Sequence, residues 1–62
     1  MNRNQIMTVI EGLSKAQGSY SRMYAALLEM QENEPDEYDR VMQALEEERF
    51  EDSVDLILFL EG

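Results

Sequence analysis

Leu13-Ser14-Lys15-Ala16-Gln17-Gly18-Ser19-Tyr20-Ser21-Arg22-Met23-Tyr24 is the stretch that decides the fold. Apolar positions lead into it at Ile6, Ile10 and Leu13, and they resume at Tyr20, Tyr24 and Leu27. The steps are 4, 3, 7, 4 and 3, the period of an amphipathic helix with one position missing, Gln17. Met7, Val9, Met23 and Leu28 widen the stripe. Gly18 is able to cap a first helix and Ser19 to open a second. Against a break, no acidic residue follows Ser19 where a helix N-terminus favours one, and the stripe needs no phase correction. A glycine inside a helix costs only about 1 kcal/mol relative to alanine. The balance favours one long helix from about Asn4 to Glu32, bent near Gly18, with a break there as the alternative.

Two shorter helices follow. In Asn33-Glu34-Pro35-Asp36-Glu37, proline stands in a first turn, where its missing N–H is harmless, and the carboxylates after it suit the helix dipole. Tyr38, Val41, Met42 and Leu45 form the buried face of this helix. Glu46-Glu47-Glu48 close it, an unfavourable placement that Arg49 offsets in part. After a joint at Phe50-Glu51, Asp52 is a good N-cap with Asp55 three residues on, so the last helix runs from Ser53 to Glu61 with Gly62 beyond it. Five successive apolar residues, Leu56 to Leu60, would also suit a strand, but no second strand exists to pair with it.

The fold class expected is therefore all-α, with a single domain over residues 1–62. A first helix of about 29 residues is roughly 43 Å long at 1.5 Å per residue, and the two later ones together reach roughly 35 Å. They fit as an antiparallel return arm, a helical hairpin or small bundle. Its core is thin. A chain of this size buries only about 60% of its unfolded surface, and chains so short generally lean on disulfides, a metal or a partner. There is no cysteine and no histidine, which leaves association.

The last helix points the same way, because a helix apolar all round is normally covered all round. With Val54, Ile57 and Leu58 turned to the first helix, Leu56, Phe59 and Leu60 are left for an interface, and a homodimer through them is expected. The methionines Met7, Met23 and Met42 lie on apolar stripes and read as core filling; Met30 lies off them.

The net charge of −9 is unevenly placed. Residues 1–28 hold three cations against one carboxylate, a balance of +2; residues 29–62 hold two against thirteen, a balance of −11. Such a chain is repelled by nucleic acid and by anionic membranes, so direct binding to either is not expected. Lys15 and Arg22 are expected to pair with carboxylates of the return arm. Glu32, Glu34, Asp36, Glu37, Asp39, Glu46, Glu47 and Glu48 make a candidate acidic face, either plain solvated surface or a docking face for a basic protein.

Catalysis finds no footing. Without Cys or His, the nucleophile candidates are Thr8, Ser14, Ser19, Ser21, Ser53 and the single lysine, Lys15. Ser14 and Lys15 are adjacent on a helix and do not face each other. No calcium loop, phosphate loop or dinucleotide fingerprint is present, so no enzyme activity, cofactor or metal is expected. The absence of cysteine and the polar N-terminus suit a soluble cytoplasmic protein.

Two stretches, Leu13 to Arg22 and Arg49 to Glu61, carry a Gln-Gly-x-Tyr-x-Arg core and an acidic-capped apolar tail. In these the chain resembles a group of short proteins carried by phages and integrative elements of Gram-positive bacteria. The resemblance implies a mobile-element setting, in which small acidic proteins often act on host or rival machinery. It implies no activity and no functional residue. Taken together, these features make a non-catalytic, self-associating interaction protein the leading expectation. The alternative is an acidic inhibitor that imitates nucleic acid towards a basic nucleic-acid-binding protein.

Overall fold

The computed structural model describes all 62 residues and is helical throughout, with no strand. Four helices follow one another: α1 Arg3–Ala16, α2 Gly18–Asn33, α3 Pro35–Glu47 and α4 Ser53–Glu61. The long first helix expected from the sequence is thus two helices, and the break falls at Gln17, the gap in the apolar stripe. Gln17 is extended (φ −136°, ψ 123°), and α2 folds back onto α1 through this single residue. The signals missing from the sequence are missing from the structure too. No side chain caps α2, and its first turn holds no carboxylate. Tertiary packing therefore makes the break. A straight helix of about 43 Å would overrun a molecule whose longest dimension is 29 Å. Folding at Gln17 lets the two halves of the stripe bury each other. The radius of gyration, 11.1 Å, is close to the roughly 10.6 Å expected for a compact chain of this length.

The other helix ends follow local chemistry. Asn2 and Gln5 form a reciprocal capping box on α1: the Asn2 side chain accepts from the Gln5 N–H, and the Gln5 side chain from the Asn2 N–H, both at 2.9 Å. Pro35 opens α3 one residue after α2 ends, with Asp36 and Glu37 in its first turn. Asp52 caps α4 by accepting from the Asp55 N–H at 3.1 Å. The Asp55 carboxylate accepts in turn from the Glu51 N–H at 3.1 Å, so the joint before α4 is tied to its first turn.

The core is small and central. Ile6 and Ile10 of α1, Met42 of α3 and Leu56 of α4 are fully buried, joined by Leu27, Tyr38 and Phe50. α1 is the helix that touches all the others, whereas α4 packs against α1 alone. The expected return arm running along one long helix is accordingly replaced by a bundle gathered round α1. Met7, Met23 and Met30 pack against this core, Met30 included although its sequence position lay off the stripe.

Two positions carry backbone penalties that substitution will expose. Gly12 lies within α1 on its exposed side, and a Cβ there meets nothing within 4 Å. Gly12→Ala is expected to stabilise the fold by about 1 kcal/mol, which at this size raises the thermal midpoint by roughly 4–8 °C. Arg49, just past α3, is the one non-glycine residue with positive φ, at 55°. Arg49→Gly removes the strain of that conformation, and Arg49→Ala retains it. In urea unfolding the glycine variant is expected to exceed the alanine variant by about 1 kcal/mol; equal stabilities would mean the left-handed residue carries no strain.

Candidate functional site

α4 is held by one side only. Leu56 is fully buried and Leu60 packs on the core, while Phe59 lies half out with its ring 5.2 Å from that of Phe50. On the opposite side Val54 and Leu58, one turn apart, are 58% and 63% exposed, and Phe59 is 47% exposed. The expected interface of Leu56, Phe59 and Leu60 needs correcting on this point. Leu56 belongs to the core and Leu60 is half-buried, whereas Val54 and Leu58, expected to face the first helix, point to solvent. Asp52 and Phe50 set this orientation: the cap fixes where α4 starts, and Phe50 anchors the joint and draws Phe59 towards it. The outer side of α4 is thus an apolar strip with Asp55 and Glu61 beside it, and α4 contains no cation.

A second apolar feature is concave. A cleft of about 370 Å³ opens among the helices. Ile10 and Leu27 form its floor, with Met23 of α2 beside them. Val41, Ala44 and Leu45 are the α3 wall, and Leu60 is the contribution of α4. No polar side chain lines it. A polar hollow of about 520 Å³ lies where the start of α1 meets the joint before α4, lined by Asn4, Gln5, Thr8, Glu51 and Asp52 among others. Its groups are largely engaged: Gln5 and Asp52 are caps, and the Thr8 hydroxyl donates to the Asn4 carbonyl at 2.9 Å.

The acidic face is divided. Arg3, at the start of α1, donates to Asp39 at 2.7 Å and to Glu46 at 2.9 and 3.1 Å. Hydrogen bonds to Asp39 and then Glu46 push the Arg3 guanidinium further above its ordinary range, so it stays charged wherever the fold exists. Glu37 pairs with Arg40 one turn on, at 3.4 Å. The remaining members of the face are exposed in two groups: Glu32, Glu34 and Asp36 at the joint of α2 and α3, Glu47 and Glu48 at the far end of α3. They do not form one continuous row, and no three acidic groups converge as metal ligands would.

Arg3 is the cation that reaches the carboxylates of α3, a role the sequence reading gave to Lys15 and Arg22. Its partners lie 36 and 43 residues away, beyond any local pattern. Lys15 instead pairs within α1, 3.9 Å from Glu11. Three of the hydroxyls considered as nucleophiles make local back-bonds: Thr8 as above, Ser14 to the Glu11 carbonyl at 2.6 Å and Ser21 to the Gly18 carbonyl at 2.7 Å.

Across the Gln17 fold, the Tyr24 hydroxyl donates to the Glu11 carboxylate at 2.8 Å. That hydrogen bond first, then partial burial and the negative charge of Glu11, hold the Tyr24 phenol neutral to a pH above its ordinary 10.0. The folded-state value exceeds the unfolded one, so this contribution is complete below pH 10.0 and disappears as pH rises through the folded-state value. In a tyrosinate absorbance titration, one of the three tyrosines is expected to ionise late, and Tyr24→Phe to remove that late step. A late step that persists in the variant would place the effect at another tyrosine.

Comparison with known proteins finds no match: no family model, no curated protein and no solved structure is similar to this chain.

Proposed function

We propose that this chain is a non-catalytic interaction protein that self-associates through the outer side of α4. The observation that carries the reading is the exposure of Val54, Leu58 and Phe59 on a single nine-residue helix. Burying a side chain of this kind contributes about 1.5–3 kcal/mol, and a two-fold pairing of α4 with its copy uses each side chain twice. For a chain with only eight buried residues, that gain is a large fraction of the stability a small domain possesses. No helix is long and apolar enough to cross a membrane. The lack of cysteine suits the reducing cytoplasm, where the proposal places the protein.

Two copies carrying −9 each repel one another. The apolar contact must outweigh that repulsion, and salt screens it. A dimer is therefore expected in sedimentation equilibrium at roughly tens of micromolar and physiological salt, and it should tighten as salt is raised. Leu58→Ser removes one apolar contact from each copy. At about 1.5 kcal/mol per side chain it is expected to weaken the dimer about a hundredfold while leaving the helical circular dichroism unchanged. A monomer at every salt concentration would overturn the reading.

A further inference from the structure

The joint before α4 is built differently from the other two. Gly18 opens α2 and Pro35 opens α3, whereas residues 36–61 contain neither glycine nor proline. No helix-breaking residue therefore stands in the way of a single helix from Pro35 to Glu61. The chain turns instead at Arg49, just past α3, which is held in the left-handed region at φ 55°, where helices most often place glycine. Glu48 before it is still right-handed helical (φ −69°, ψ −17°). Returning Arg49 to the helical region relieves its strain and lets α3 extend. The seat of α4 opposes this: Leu56 and Phe50 are buried, and Asp52 caps the helix. Because α4 packs against α1 alone, one interface has to open to release it.

A released α4 has one surface already shaped to it, the seat on α1 of a second copy. We propose that two copies of this chain exchange α4, with α3 and α4 of each fusing into one helix. From Pro35 to Glu61 such a helix is roughly 40 Å long at 1.5 Å per residue. The longest dimension of the closed chain is 29 Å, so the last turns reach beyond the chain's own core. Leu56 of each copy then enters the other's core beside Ile6 and Ile10, the residues it packs with in the closed chain. Every contact of α4 with α1 is remade between copies. Exchange of an identical element is a low-cost route to a dimer, and a short hinge under strain invites it. Both Arg49 residues leave the left-handed region, while both Asp52 caps are given up. The freedom lost on pairing keeps the closed single chain in front at low concentration. Exchange uses the inner side of α4, so it does not rest on pairing through Val54 and Leu58.

The test uses the full chain carrying Leu58→Ser, which removes the outer-strip contact, so the two proposals fail separately. The protein is concentrated, warmed to its thermal midpoint, cooled, diluted to micromolar and passed through size exclusion with light scattering. A dimer that persists after dilution is expected, because its separation needs α4 to unseat again. In that dimer the amides of residues 50–53 should gain hydrogen-exchange protection as the joint turns helical. Arg49→Gly suits the left-handed joint and weakens the fused helix, so it is expected to lower the association constant about a hundredfold relative to Arg49→Ala. Ser53→Pro is the sharper variant. Ser53 is the first residue of α4, where proline is accepted, and Asp52 before it is already extended (φ −152°, ψ −178°). The same proline breaks the fused helix. It is expected to keep the helical circular dichroism of the single chain and to give no persistent dimer. Absence of a persistent dimer in both Leu58→Ser and its Arg49→Ala derivative would overturn the exchange, as would an undiminished dimer in a folded Ser53→Pro variant. If Ser53→Pro loses helical signal, equal association constants for Arg49→Gly and Arg49→Ala would overturn it instead.

Discussion

Everything in this fold depends on the two isoleucines of α1 being covered from three directions at once. Ile6 and Ile10 stand one turn apart and are fully buried, with Leu27 of α2, Met42 of α3 and Leu56 of α4 in the same cluster. No helix of this length is stable in water by itself, so each forms only because it has α1 to pack on. The core holds seven residues, which leaves no redundancy. Truncating a side chain such as Leu56 to alanine costs about 2–5 kcal/mol, a sum comparable with the whole stability of a small domain. Because α4 rests on α1 alone, it presents the greatest apolar exposure and is the helix whose cover comes most naturally from outside.

Charge is the second constraint, and it is distributed by halves. Residues 1–28 hold three of the five cations against one carboxylate, and residues 29–62 hold the other thirteen carboxylates. Arg3 is the single cation that crosses between the halves to form an ion pair, clamping the middle of α3 through Asp39 and Glu46. What remains is an acidic half in which the exposed apolar residues of α4 stand beside Asp55 and Glu61.

Much of the second half was legible in the sequence because its helix ends are chemically marked. Pro35 and Asp52 stand where α3 and α4 begin, and α4 spans Ser53 to Glu61 as the capping pattern requires. The first half was less legible, since Gln17 carries no capping signal and the apolar phase runs through it unbroken. What the turn achieves is visible only after folding, when α2 lies back on α1 and the two halves of the stripe meet. The candidate site was half legible. That α4 would be left exposed follows from its composition, but five successive apolar residues have no period. The sequence thus had no means of choosing Leu56 and Leu60 over Val54 and Leu58 as the inward side. Arg3 was out of reach for a different reason, because its partners are distant in the chain and close only after folding.

The joints that separate the first three helices are one residue each, Gln17 and Glu34. Short joints keep α1 and α2, and α2 and α3, close together along the chain, so little loop entropy is lost before those pairs meet. Topologies dominated by such local contacts cross their folding barrier in microseconds to milliseconds. Seating α4 on α1 brings opposite ends of the chain together, so that contact carries the largest loop cost in the fold.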